Sequence, residues 1–168
     1  MVYTTASRLS GNDAHAEDIT QEVFLRAHRH YAELKDNPRA AGWLRTVARN
    51  MTFTYLTRYR RRWVFFSQMR DEADGDDAPE VEFTSDVDVD GEVRADERHA
   101  LVEQALRELP EQQRVPLVLF HFEDMPYEEI AAKLRISLAK VKTDIHRGRH
   151  ALSRVLAARG ITAAEAMP

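Results

Sequence analysis

Between Tyr55 and Phe66 the chain reads YLTRYRRRWVFF, four arginines set among tyrosine, leucine, tryptophan and phenylalanine. Guanidinium groups engage phosphate, and aromatic faces stack on unpaired bases, so this mixture suits a nucleic acid. The residues before it extend the pattern. Asn50, Thr54, Thr57, Arg58 and Arg61 share one face of a helix, and their amide and hydroxyl groups can reach base edges. A plainer reading stands beside this one: Tyr55, Tyr59 and Trp63 complete a small core while the arginines snorkel outward. A second basic run, KVKTDIHRGRH, spans Lys140 to His150. Within it His146 and His150 stand four apart and could share a metal, but no third ligand lies near in sequence, so DNA-facing or solvated histidines are expected. His28, His30 and His121 form no arrangement with a nucleophile and an acid. No enzyme, cofactor or metal is expected.

These groups must be held by a chain of 168 residues, enough for one ordinary domain or two small ones with thin cores. Net charge conceals the organisation. The formal total is -4, yet the stretch from Asp71 to Glu92 holds eleven acidic residues and no lysine or arginine. The remaining chain carries 24 Lys and Arg against 17 Asp and Glu, a surplus of +7. Two mildly basic parts separated by an acidic strap point to a polyanionic partner, although solvated domains on a solvated linker would look the same by charge alone. Few large apolar residues, two glycines and a proline make the strap a flexible linker. Cysteine is absent, which excludes disulfides and thiolate metal sites. No apolar run approaches a membrane span, and no leader pattern opens the chain, so a soluble, cytoplasmic protein without membrane insertion is expected.

Helical periodicity governs the first part. After the short segment VYTTASRLSG, Gly11 supplies a stop, and Asn12 or Asp13 can cap the next helix. From Ala14 to about Tyr31, Ala16, Ile19, Val23, Phe24, Ala27 and Tyr31 form the expected buried stripe. Another face carries Asp18, Gln21, Glu22, Leu25 and Arg29, and a leucine among those polar groups is either a lone exposed residue or a protein contact. ELKDNPRAAG breaks the periodicity. A helix from about Gly42 to Arg62 follows, with Leu44, Val47, Ala48, Met51 and Tyr55 inward. Tyr55 to about Arg62 is expected to continue the strand-binding side, while Trp63, Phe65 and Phe66 close the core.

Beyond the strap, Ala100, Leu101, Ala105 and Leu109 keep helical register, and Pro110 can open the next helix. Pro116 inside EQQRVPLVLFHFED predicts a kink or a restart. Ile130, Ala131 and Leu134 then share a face of a short helix, and Ser137 can cap a second one whose stripe is Val141, Ile145 and Leu152. Two short helices, a three-residue turn and small Ala131 at the crossing fit a helix-turn-helix, with an ordinary helical hairpin as the alternative. The second helix would present Ala139, Lys140, Lys142, Thr143, His146 and Arg147 outward, for a major groove. The fold class is therefore all-α, two small helical domains joined by an acidic flexible linker, the second a helix-turn-helix domain.

AEDITQEVFLRAH, GWLRTVARNMTFTYL and LRELPEQQRVPLVLFHFEDMPYEEIAAKLRISLAKVKTDIHRGRHAL, in that order and spacing, resemble the extracytoplasmic-function (ECF) sigma factors, the two-domain branch of the sigma-70 family. The resemblance covers about residues 2 to 68 and 95 to 157. It implies sigma domain 2 over 1–68, a linker over 69–94, sigma domain 4 over 95–158 and a tail over 159–168. It further implies that Asp18, Gln21, Glu22, Leu25 and Arg29 dock on core RNA polymerase. Lys35, Asn37, Arg39, Trp43, Arg45, Asn50, Thr54, Tyr55, Arg58 and Arg61 would hold the melted minus-10 strand of promoter DNA, and Ser137, Ala139, Lys140, Lys142, Thr143, His146 and Arg147 would read the minus-35 duplex. An anti-sigma factor is an implied partner.

The chain departs from that family's pattern in places. Arg135 stands where glycine is usual in the turn, Ala139 and Lys140 replace a frequent Gly-Thr, Asp144 takes a commonly basic site, and Pro126 replaces a serine cap. The family also has most of another helix before VYTTASRL, so the resemblance implies a late start or a shortened chain, and a domain 2 that is either less stable or has a groove dependent on a partner. A helix-turn-helix regulator acting without polymerase is the competing reading. It gives no reason for Asp18, Gln21 and Leu25 on one face.

Overall fold

The computed structural model describes the backbone of residues 1–67 and 92–159, and the side chains of 1–56 and 98–159. Among the described residues every regular element is helical. The chain divides into two compact units, one ending at Val81 and the next starting at Glu82.

The first unit opens with α1 (Val2–Ser10), a full helix over the short segment VYTTASRLS. Val2, Thr5, Ala6 and Leu9 recur at helical spacing and are buried, so α1 is an amphipathic core helix. Gly11 ends it at φ 65°, ψ 19°, and its N–H donates to the Ser7 carbonyl at 2.7 Å. That left-handed conformation admits glycine without a Cβ penalty. Asn12 then caps α2 (Asp13–Arg29), its Oδ1 accepting from the His15 N–H at 3.1 Å. Asp13 clasps the two helices instead: its Oδ1 accepts from the Tyr3 hydroxyl at 2.9 Å and the Ser7 hydroxyl at 3.2 Å.

One turn, α3 (Tyr31–Leu34), and an Asx turn at Asn37 lead into α4 (Ala40–Ser67). Helices α1, α2 and α4 pack on one another around Val2, Ala6, Ala16, Ile19, Val23 and Ala48, flanked by Leu44, Val47, Met51 and Tyr55. The expected stripe of α2 is corrected at two positions. Phe24 and Tyr31 are exposed, at 53% and 63%: Phe24 stands about 100° around the helix from buried Val23, and Tyr31 lies past the end of α2, in α3.

The second unit holds α5 (Glu92–Glu108), α6 (Glu111–His121), α7 (Tyr127–Leu134) and α8 (Leu138–Ala157). Among the described side chains of α5 the buried ones are Val102, Ala105 and Leu106, with Leu109 just beyond the helix. Ala100 is exposed, so the inward stripe sits rotated from the expected one. Pro110 is the residue before α6 rather than its first, and α6 runs through Pro116 without restarting. Arg114 to Leu119 are all buried, as befits a central helix contacted by α7 and α8. Arg114 donates to the Leu109 carbonyl at 2.9 Å, closing the end of α5; burial pushes its guanidinium below the ordinary value, with Glu111 opposing.

Where α8 meets α6 the small residue is Gly148. A Cβ there would lie 3.1 Å from the Gln113 carbonyl oxygen, so a side chain at this position would press on the backbone of α6.

Candidate polymerase and nucleic-acid interfaces

Three surfaces carry the residues singled out above, and each lies within one unit. On α2, Asp18, Gln21, Glu22, Leu25 and Arg29 are all exposed, with Leu25 at 62%. Glu22 pairs with Arg26 at 3.0 Å, an exposed i,i+4 bridge of small energetic value. Phe24 flanks this face and widens it into a mixed apolar and charged patch. The outward ring was missed because its spacing alone placed it beside the core stripe.

The second surface follows the loop and α4. Lys35, Asn37, Arg39, Asn50 and Thr54 are exposed, while Trp43 and Arg45 are half-buried. Lys35 lies 3.8 Å from Asp36. Asn37 Oδ1 accepts from the Arg39 N–H at 2.9 Å, so this side chain shapes the entrance to α4. The Trp43 ring sits 5.8 Å from the His30 ring, fixing one wall of the loop. Thr54 donates to the Asn50 carbonyl at 3.0 Å. Tyr55 behaves differently from its neighbours. Its hydroxyl is hydrogen-bonded to His15 Nε2 and its ring packs 4.4 Å from that imidazole, so it is committed inward as part of the core stripe. The side chains of Thr57, Arg58, Tyr59, Arg61, Trp63, Phe65 and Phe66 lie outside the described residues.

The third surface is built by α7 and α8. Arg135 takes φ 57°, ψ 44°, and the Ile136 N–H closes back to the Ala131 carbonyl at 3.1 Å, which turns the chain sharply after α7. Ser137 then caps α8, its Oγ accepting from the Lys140 N–H at 3.1 Å. Val141, Ile145 and Leu152 are buried as expected, and Ser137, Ala139, Lys142, Thr143 and Arg147 are exposed on the far side. Lys140 and His146 are half-buried. Lys140 Nζ lies 3.0 Å from Asp144 Oδ1, and Asp144 is only 4% exposed. The carboxylate at the unusual site therefore points into the unit and holds Lys140 along the helix, leaving the outward row free of acid.

Behind α8, Arg149 Nε donates to His121 Nε2 at 3.0 Å and its guanidinium lies 5.6 Å from the Phe120 ring centroid. Phe120 stacks on Tyr127 at 4.5 Å. Burial first, and the Arg149 charge second, push His121 down to about 4, so its neutral ring accepts through Nε2.

A capped helix with an outward row of hydroxyl, ammonium, guanidinium and imidazole groups, set after a tight turn, gives the second unit a helix-turn-helix architecture. Its other unit adds an exposed, partly apolar helix face of its own. Comparison with known proteins narrows the class. Sigma-70 region 2 matches residues 1–62, and Sigma-70, region 4 matches residues 99–152. The chain is 36% identical to the ECF RNA polymerase sigma factor SigE of Mycolicibacterium smegmatis, over 93% of this chain and 57% of that protein. It is 32% identical to the ECF RNA polymerase sigma factor SigL of Mycobacterium tuberculosis, over 96% of this chain and 86% of that one. The sigma factor RpoE, solved with the anti-sigma factor NepR from Bartonella quintana, shares 23% identity over 93% of this chain and 89% of that one, with a TM-score of 0.49. The chain spans little more than half the length of SigE. It belongs to the ECF branch of the sigma-70 family of RNA polymerase sigma factors.

Proposed function

We propose that the protein binds core RNA polymerase and directs initiation at promoters read through a minus-35 duplex and a melted minus-10 strand. The observation that carries this is the α2 face. Leu25 is 62% exposed among Asp18, Gln21, Glu22 and Arg29, on a unit separate from the helix-turn-helix. A regulator acting without polymerase has no use for that face.

The assignment divides the chain into domain 2 over 1–68, an acidic linker over 69–94, domain 4 over 95–158 and a tail over 159–168. Asn50 and Thr54 lead the strand-holding side of α4, with Lys35, Asn37, Arg39, Trp43 and Arg45 at its entrance and Arg58 and Arg61 further along. Ser137, Ala139, Lys142, Thr143, His146 and Arg147 meet the duplex, while Lys140 reaches it from a position set by Asp144. The protein is not an enzyme. Opening is driven by binding: unpaired bases captured on domain 2 shift the equilibrium between closed and open DNA. It acts where the polymerase is, in the cytoplasm, and an anti-sigma factor covering the exposed α2 patch would hold it inactive.

Reconstitution with core enzyme is the test. A promoter-specific transcript from a promoter of the native genome is expected, and its absence with folded protein would overturn the reading. Asp18→Ala with Leu25→Ala should weaken core binding at least about tenfold, as expected for a central apolar anchor and its polar neighbour. Binding of the second unit to duplex DNA should be unchanged by that pair.

A further inference from the structure

The outward row of α8 ends in two imidazoles four residues apart. His146 and His150 bring their Nε2 atoms within 3.2 Å of each other, with ring centroids 4.5 Å apart and planes at 64°. Both rings are half-buried against the helix, which restricts the rotamers they can take. Imidazole nitrogens bind Zn2+ at about 2.0–2.1 Å, so two of them on one metal, at an angle between square-planar and tetrahedral, lie about 2.9–3.4 Å apart. The observed separation falls inside that window, so the helix already holds the two nitrogens at chelating distance.

We propose that His146 and His150 chelate one divalent transition metal of the Zn2+, Ni2+ or Cu2+ class on the groove-facing side of α8. In the apo protein one Nε2 carries a proton and donates to the other. Metal binding moves that proton to Nδ1 of the same ring by exchange with water, which frees both Nε2 lone pairs for the metal. Among the described residues no cluster of three or more His, Cys, Asp or Glu could complete an all-protein site. The remaining coordination positions are therefore filled by water or by donors of a bound partner.

Charge decides which partner. Lys142, Arg147 and Arg154 lie within about one turn of the pair on α8, and the nearest carboxylate of that helix, Asp144, is buried and held with Lys140. Such surroundings repel a dication until phosphate arrives. Duplex DNA supplies both negative charge and oxygen or nitrogen donors, so metal and duplex bind with positive coupling, each raising the affinity of the other by the same factor. This coupling rests on α8 being the duplex-reading helix; chelation itself does not.

The experiment uses the full chain and Zn2+ alone, titrated in competition with a chromophoric chelator, with Cu2+ as a paramagnetic probe. One Zn2+ per chain is expected. His150→Ala, and His146→Gln as a second variant, should each weaken it about tenfold or more, since losing even an outer-shell partner of a metal site costs that much. The Cu2+ spectrum should show coupling to two imidazole nitrogens in the parent and one in either variant. Absence of binding, or equal binding by the variants, would overturn the site. Duplex affinity is then measured with chelator and with Zn2+. A rise of about fivefold or more in the parent, absent in His150→Ala, is expected. An affinity that ignores Zn2+ overturns the coupling while leaving chelation to stand on the titration.

Discussion

Arg135 holds a backbone conformation that its side chain makes costly. At φ 57°, ψ 44° it occupies the left-handed region, where a Cβ crowds the following carbonyl, and nothing but the turn between α7 and α8 requires it. Glycine at that position removes the clash but adds freedom to the unfolded chain, so the gain is partial. Arg135→Gly is expected to stabilise the second unit by about 0.5–1 kcal/mol. Melting should rise by a few degrees, at about 4–8 °C per kcal/mol for a unit of this size. Thermal denaturation checks this directly, and a lower melting temperature would mean that the arginine's methylene packing outweighs the backbone strain. The same substitution carries a functional cost. The guanidinium is exposed two residues before the Ser137 cap, in reach of a phosphate flanking the groove. Duplex affinity should therefore fall, with the salt dependence shallower by about one counterion.

Helices α6 and α8 are coupled through His121, and this gives the second unit a pH dependence of known sign. The folded-state value of His121 is about 4, below the ordinary 6.5, through burial and then Arg149. A histidine held neutral by the fold binds fewer protons than the unfolded chain between those values. Its contribution is complete above about pH 6.5 and is lost as pH falls towards 4. Chemical denaturation at stepped pH should show stability dropping through this window, and His121→Gln should flatten the part not due to carboxylates; an unchanged slope would remove His121 as the cause. Helix ends were legible in the sequence because caps are local chemistry: Gly11, Asn12 and Ser137 act on their own neighbours. The α8 stripe was legible for the same reason, since periodicity reports one helix at a time. What periodicity does not report is the cover supplied by other helices. Phe24 and Tyr31 sit beside a buried stripe and yet are exposed, and Ala100 is outside although it keeps register. Gly148 matters through a carbonyl 35 positions away, at Gln113, and the Lys140–Asp144 pair had a readable spacing but an unreadable burial.

At the scale of the molecule, the acidic stretch from Asp71 to Glu92 stands between two units that are basic without it. Eleven carboxylates on the same chain as Arg58, Arg61 and the α8 row present a high local concentration of anion to any cationic face. A tethered polyanion competes with DNA as dissolved salt does, except that dilution does not remove it. Free protein should accordingly bind promoter duplex weakly, and replacing the eleven acids by their amides should strengthen that binding. The effect must fade as salt rises, because screening shortens to about 10 Å at 0.1 M and less beyond, and the counterions then compete equally with strap and DNA. Fluorescence anisotropy on a short duplex, run for parent and neutralised chains across a salt series, reads the difference as two lines converging at high salt. Parallel or coincident lines would mean that the strap does not compete. Polymerase bound to the protein should shrink the gap as well, if core contacts on α2 draw the basic faces away from the linker. A gap of equal size in free and polymerase-bound protein would place the strap's effect on the DNA itself, as simple repulsion, and not on the faces that read it.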